Sequence, residues 1–213
     1  MRREHVTFGL NNRLIIKSQY KPMKKFLSTI VLFCFAFCGF AQEHLSFKGI
    51  PIEGSTTAFC QKLKSKGFEI IEQNDQLALL SGDFTGRNVT VVVVSTNDGK
   101  NVYSVGVSFD SSDNWKTLVS TYEHYKTLYT EKYGEPSITK EYNPAFSDSN
   151  IVLMSELKQG TVDYRSIWET AGGKIMISIR KSTNKVGYYG EVMIFYLDNQ
   201  SAETQRKQDL DEI

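Results

Sequence analysis

The sequence contains little cysteine or histidine and no excess of either charge. Three Cys and three His among 213 residues are too few for a disulfide scaffold or a protein with several zinc sites. The 25 Lys and Arg nearly balance the 24 Asp and Glu, which argues against nucleic-acid binding through bulk positive charge. Aromatic residues make up 12% of the chain, which excludes a disordered polypeptide. We therefore expect one folded domain, or two small ones.

Residues 23–41 have the pattern of a secretory signal peptide. Met23-Lys24-Lys25 precedes an apolar run over residues 26–40, and Gly39 and Ala41 place small residues at positions −3 and −1 of a cut after Ala41. The run is shorter than the ~20 apolar residues that a membrane-spanning helix needs. We expect cleavage after Ala41, a periplasmic or secreted product and no transmembrane span after cleavage. The alternative is an uncleaved anchor.

The residues before Met23 do not fit a signal peptide, which normally begins at the initiator Met. We expect translation to begin at Met23, so that residues 1–22 are untranslated or a disordered extension; the alternative is a long basic start. Cys38 lies within the leader, but Phe37 stands where lipoprotein processing takes a small residue. We therefore do not expect a lipid anchor at Cys38.

Removal of the leader changes the composition. Residues 1–41 contain seven of the 25 Lys and Arg but one of the 24 Asp and Glu, so residues 42–213 carry a formal charge of −5. This acidity argues further against nucleic acid and anionic membranes as partners. Cys60 is the one cysteine left, and its place in an amphipathic helix pattern predicts a small buried hydrophobe.

The first half of residues 42–213 predicts an arm, a helix and four strands. Residues 45–52 are typical of a short strand or an extended arm. Ser55 caps a helix over 55–66, and Gly67 supplies the left-handed residue that ends it, with Phe68 closing on Leu63. The strands are expected at 68–73, 77–84, 88–96 and 102–109.

Two details of these strands carry further expectations. The run Val91–Val94 indicates burial on both faces and hence a central strand. Asp98-Gly99 predicts a type I′ hairpin turn before the fourth strand.

The second half begins with a helix over 113–133. An aromatic stripe at helical spacing predicts it: Trp115, Leu118, Tyr122, Tyr125, Tyr129 and Tyr133. Asp110–Asp113 supplies the capping residues, and Gly134 ends the helix. A weak edge strand over 137–142, a short helix over 148–158 and strands over 161–170, 174–181 and 189–197 follow. Residues 199–213 are polar and aperiodic, which predicts a flexible tail.

The predicted order is α-ββββ-α-β-α-βββ. Consecutive strands with tight turns form antiparallel sheet, and helices grouped on one face of it give the α+β class, here as a single domain over 42–198. Two rounds of helix followed by strands suggest a pseudo-duplication; one continuous sheet is the alternative.

The chain lacks the motifs of catalysis, metal binding and cofactor binding. His124 stands alone as a solvated helix residue, and no H-x-x-x-H spacing exists. Asp110–Asp113 is rich in oxygen ligands, but the ligand spacing of an EF-hand is missing, so capping explains it better than calcium. No GxSxG, P-loop or GxGxxG motif occurs. We expect a non-catalytic protein with no metal and no cofactor.

Tyrosine is the informative excess. Tyr122, Tyr125 and Tyr129, with Trp115 on the same stripe, either pack on the sheet or form a contact surface, because Tyr combines large area with a polar tip. Tyr188 and Tyr189 are flanked by glycines and form an exposed candidate contact patch.

Four segments of the chain carry a resemblance: Lys24–Gln42, Phe47–Phe68, Tyr129–Ser137 and Ile167–Ser178. With these the chain resembles small exported hypothetical proteins of Bacteroides-type Gram-negative bacteria, and the resemblance implies export but no activity. The pattern at Gly54–Gly67, followed by four strands, is similar to the helix-plus-sheet modules of β-lactamase-inhibitor-like proteins, which implies binding of a protein on a concave sheet. The second half has a longer helix and no matching motif.

These observations favour an exported binding protein whose partner is another protein or a cell-envelope component. An inhibitor or immunity-type protein acting on an envelope enzyme is the first alternative. A hydrolase with a pair of carboxylates is the second, because the acidic residues offer many pairs.

Overall fold

A computed structural model describes residues 43–142, 149–183 and 185–213. The expected start at Met23, the cut after Ala41 and Cys38 lie outside these residues. Four helices and ten strands occur in the described part, and the strands form antiparallel sheets against which helices pack. The predicted α+β class is confirmed.

The described chain begins with an N-terminal arm, residues 43–52. Within it, β1 (Ser46–Phe47) pairs with β2 (Ile50–Pro51) as a short hairpin. The arm is fastened to the far end of the chain, because the backbone amide of Leu45 donates to the Asp198 carboxylate over 2.9 Å.

The first helix, α1 (Thr56–Lys64), has the predicted start and end. The Ser55 side chain accepts from the Ala58 amide. Gly67 has a φ of +92°, and the Phe68 amide donates to the Leu63 carbonyl oxygen over 3.2 Å. These bonds satisfy orphan groups at both ends of the helix.

Eight strands form one antiparallel sheet in the order β3-β4-β5-β6-β10-β9-β8-β7. Their bounds are β3 Glu69–Gln73, β4 Leu77–Phe84, β5 Arg87–Ser95, β6 Val102–Ser108, β7 Ile138–Lys140, β8 Tyr164–Glu169, β9 Gly173–Lys181 and β10 Gly190–Asp198. In the chain, α2 (Trp115–Tyr133) follows β6, and α3 (Asn150–Gln159) separates β7 from β8. As predicted, β7 lies at an edge.

The sheet consists of two equivalent halves. Apart from α3, each half is a helix followed by a four-stranded meander, and the fourth strands, β6 and β10, pair at the centre of the sheet. There Ile194 lies opposite Val107. The chain therefore combines one continuous sheet with the topology of a pseudo-duplication.

Helices α1, α2 and α3 pack on one face of the sheet, here named the covered face. A row of register partners crosses this face, and all of its members are fully buried: Leu80, Val91, Val107, Ile194 and Ile177. The opposite face is named the open face. Val92 and Val94 point to it and are only half-buried, so the expected burial of β5 on both faces is wrong. The strand buried on both sides is β10, where Val192, Met193 and Ile194 are all buried.

The expected tail is a helix. Residues 199–213 contain α4 (Asn199–Asp211), which begins where the Asp198 carboxylate accepts from the Ser201 amide over 2.8 Å. The Gln205 side chain accepts from the Asn97 amide over 2.8 Å. Ser201 is the only buried residue of α4. The helix is held by a cap and polar bonds rather than by an apolar stripe, so its sequence shows no periodicity.

The predicted N-cap of α2 and the predicted turn type at Asp98-Gly99 also differ from the structure. The N-cap of α2 is Asn114, whose side chain accepts from the Thr117 amide, and not a residue of 110–113. At Asp98-Gly99 only Gly99 has a positive φ, so the turn is not type I′. Asp98 instead accepts from the Thr96 hydroxyl and the Lys100 amide, which lowers the pKa of its carboxyl to about 2.

Candidate functional site

The tyrosine stripe of α2 is buried against the covered face. Trp115, Tyr122, Tyr125 and Tyr129 are at most 8% exposed, so these side chains pack in the core and do not form a solvent-exposed surface. The Tyr122 hydroxyl, for example, lies 2.6 Å from the Ser166 hydroxyl of β8. Burial raises the pKa of Tyr122 above its ordinary value.

The other predicted contact residues lie in the segment between β9 and β10. Tyr188 is 52% exposed and Tyr189 is half-buried. The Lys158 ammonium lies 4.6 Å from the centre of the Tyr188 ring. The structure thus separates the six predicted residues into four in the core and two on a surface loop.

A cavity of about 640 Å³ opens between the N-terminal arm and the C-terminal half of α2. We name it the arm pocket. Its other borders are the β4–β5 turn at Phe84 and Thr85, and the β8–β9 turn at 170–172. Its volume falls within the range of about 300–1,000 Å³ that is common for small-molecule sites. Sequence reasoning missed it because five segments that are distant in the sequence form it, the fifth being β10 at Tyr196.

Five Phe and Tyr side chains line the arm pocket. Tyr125, Tyr129 and Tyr133 line it from α2, Leu128 lies beside them, and Tyr196 lines it from β10. The predicted stripe therefore has a second role, since its C-terminal half packs on the sheet and also faces a cavity. Such a wall suits an apolar or planar ligand body.

A pair of hydroxyls in this wall has one hydrogen-bond donor that their mutual bond leaves unused. The Tyr129 and Tyr196 hydroxyls hydrogen-bond to each other. Two phenols carry two protons, and their mutual bond uses one of them. Burial raises the pKa of both phenols, most strongly that of Tyr196, so both stay protonated. The pair therefore has one O–H donor that the mutual bond does not use.

The neighbouring hydroxyls satisfy one another. The Thr85 hydroxyl donates to the Phe84 carbonyl oxygen over 2.7 Å, and the Tyr125 hydroxyl lies 2.7 Å from the Thr85 oxygen, to which it can donate. Both protons of this chain are used. The Tyr129–Tyr196 pair therefore differs from this chain in having a proton left over.

Two lysines stand at the rim. The Lys48 ammonium lies 5.7 Å from the centre of the Phe68 ring and 5.8 Å from that of Phe84, and the Lys132 ammonium lies 4.9 Å from that of Tyr133. Within the described residues neither lysine forms an ion pair with a carboxylate. The Lys48 ammonium also donates to the backbone carbonyl oxygen of Asp83 over 3.4 Å, a contact that leaves its charge unneutralised at the mouth of the pocket.

Backbone strain is concentrated at the same place. Lys48 and Thr85 are the two non-glycine residues of the described chain with positive φ, each at 54°. Both begin two-residue turns completed by a glycine, and both line the arm pocket. Asn, Asp or Gly would fit these turn positions better. A β-branched residue in this conformation is a true outlier, and strain of this kind clusters at binding sites.

His44 makes structural contacts that attach the arm to the rest of the protein. Its Nδ1 lies 3.1 Å from the buried Asp198 carboxylate, and its Nε2 lies 3.6 Å from the Glu53 carboxylate. The second nitrogen thus faces a carboxylate and not a hydroxyl or thiol nucleophile. Cys60 is fully buried in α1 as predicted, and burial raises the pKa of its thiol to about 11. Among the described residues, no group of three or more His, Cys, Asp or Glu could hold a metal ion.

The open face carries an ion pair in which the carboxylate is buried and the guanidinium is partly exposed. Glu191 is 1% exposed; its carboxylate accepts from the Arg180 side chain over 3.0 Å and from the Ser108 hydroxyl over 2.9 Å. The Arg180 guanidinium also lies 5.3 Å from the centre of the Phe195 ring. These contacts satisfy the charge within the sheet. Within 43–142, 149–183 and 185–213, no helix is long and apolar enough to cross a membrane.

Comparisons with known proteins leave the site to be interpreted from its own geometry. No family model, no curated protein and no solved structure matches the chain.

Proposed function

We propose that this chain is an exported, non-catalytic binding protein and that its ligand occupies the arm pocket. The observation that carries the proposal is the coincidence of the cavity with the two strained residues, Lys48 and Thr85. Turn formation alone would favour Asn, Asp or Gly at both positions. The presence of a lysine and a threonine at these two positions is explained if the chemistry of their side chains is needed at the pocket.

The remaining groups of the pocket support binding over catalysis. Its polar side chains are the Tyr129 and Tyr196 phenols, which stay protonated, other tyrosines, two threonines whose hydroxyls are used within the protein, Ser46, Glu43, and the lysines at the rim. His44, the general base that this region could offer, is held between two carboxylates. Such a set can orient a ligand but contains no activated nucleophile.

Filling the arm pocket should weaken binding without unfolding the protein. Leu128 lines the pocket and is 37% exposed, so Leu128→Trp adds bulk there and creates little strain. We expect the affinity for apolar fluorescent probes, the neutral N-phenyl-1-naphthylamine and the anionic 1-anilinonaphthalene-8-sulfonate, to fall about tenfold or more, because the body of each probe and the indole compete for one space. Fluorescence titration of protein expressed from the full chain measures it.

The matched control is Thr127→Trp, which places the same indole on an exposed position of α2 outside the lining. Thermal unfolding followed by circular dichroism verifies that both variants fold. The proposal fails if Leu128→Trp and Thr127→Trp bind both probes as tightly as the parent protein does.

A further inference from the structure

We infer that the ligand of the arm pocket is an amphipathic anion, with an apolar body against the tyrosine wall and an acidic oxygen group bound by Lys48 and Lys132. This inference rests on the proposed function and adds the chemical class of the ligand. It follows from which polar groups border the cavity, from the charge at its mouth and from the position of the lysines relative to the rings.

The two lysines and the Tyr129–Tyr196 pair contribute hydrogen-bond donors to the lining of the pocket. A lysine ammonium has three N–H donors and no acceptor, and the Tyr129–Tyr196 pair has one O–H left over. A ligand that satisfies them must bring acceptor atoms. Anionic oxygens are the strongest acceptors, because hydrogen bonds between an ammonium and a carboxylate, sulfonate or phosphate gain from both charges.

The charge at the mouth selects the same class. Lys48 and Lys132 outnumber Glu43, which is the exposed acidic residue of the lining, and His44 is already paired with carboxylates. The rim is therefore positive, although residues 42–213 as a whole carry a formal charge of −5. A local reversal of sign in an acidic protein attracts anions to this point while the remaining surface repels them.

The lysines are held where the head group of such a ligand would lie. Each ammonium lies over aromatic rings at the border of the pocket, Lys48 over Phe84 and Lys132 over Tyr133. Both side chains are exposed, whereas Tyr129 and Tyr196 are at most 8% exposed. With its acidic group at the rim, the ligand can place its apolar body in the aromatic interior. This arrangement has the lowest free-energy cost of desolvation for both parts of the ligand.

The test removes the two charges and compares two probes of similar shape. In Lys48→Gln/Lys132→Gln, we expect the affinity for anionic 1-anilinonaphthalene-8-sulfonate to fall about tenfold, the effect of losing two charge-assisted contacts that are partly exposed. The affinity for neutral N-phenyl-1-naphthylamine should stay within about twofold. Raising the salt concentration should weaken the sulfonate in the parent protein and have little effect on the neutral probe.

The control is Lys66→Gln/Lys116→Gln, which removes the same charge from exposed positions outside the pocket. Equal losses for both lysine pairs, or equal losses for both probes, would overturn the anion inference and leave the proposed function standing. If Leu128→Trp affects neither probe, the proposed function itself is lost. Because the four lysines are exposed, we expect all variants to fold, and thermal unfolding verifies it.

Discussion

Phe47→Ala is expected to lower the free energy of unfolding by about 4 kcal/mol, the cost of removing a buried Phe from a packed core. Phe47 is fully buried although it belongs to a two-residue strand of the arm. Its ring centre lies 5.3 Å from that of Tyr196, 5.8 Å from Phe84 and 6.1 Å from Phe68. Truncation leaves a cavity beneath the arm, and the arm also loses its main apolar attachment.

Urea unfolding at equilibrium measures this change, and Ile71→Ala is the control. Ile71 lies on edge strand β3 and is 62% exposed, so its truncation should cost less than about 1 kcal/mol. Equal costs for Phe47→Ala and Ile71→Ala would show that the arm does not belong to the core.

Asp198→Ala is the second large effect, with an expected loss of about 3 kcal/mol in the free energy of unfolding. One fully buried carboxylate accepts from the Leu45 amide, the Ser201 amide and the His44 ring. The substitution removes the N-cap of α4 and leaves a buried amide of the arm without its acceptor. Both ends of the described chain should therefore loosen together.

Hydrogen exchange measured by mass spectrometry separates this coupled effect from a general loss of stability. Peptides from the arm and from α4 should both lose protection in Asp198→Ala, while those of β5 and β6 keep theirs. Asp211→Ala removes the same charge from an exposed position at the end of α4 and should change the free energy of unfolding by less than about 0.5 kcal/mol. Protection lost in α4 alone would contradict the anchoring role of Asp198.

Local signals predicted most of the fold. The stop at Gly67-Phe68 and the aromatic stripe of α2 depend on spacing within a few residues, and each appears where the sequence places it. The predicted alternation of buried and exposed positions along the strands also appears in the sheet. The burial of Val92 and Val94 could not be predicted, because it depends on whether anything covers the open face, which their own segment does not encode.

The arm pocket could not be predicted, because it depends on where distant segments meet. The arm, the β4–β5 turn, α2 and the β8–β9 turn converge only in the folded chain. Two of these segments also pack closely against each other, since a Cβ on Gly172 would lie 2.5 Å from the Glu43 carbonyl oxygen. Retrospectively, the signal was Lys48-Gly49 and Thr85-Gly86, where an unsuitable residue begins each turn.

Ligand binding in the arm pocket is tested most directly by fluorine NMR of protein labelled with 3-fluorotyrosine and titrated with 1-anilinonaphthalene-8-sulfonate. Tyr→Phe variants assign the signals. We expect the signals of Tyr129, Tyr133 and Tyr196, which line the arm pocket, to shift together with one affinity, while those of the exposed Tyr188 and its neighbour Tyr189 do not shift. Shifts confined to Tyr188 and Tyr189 would place the site on the β9–β10 loop and contradict the account.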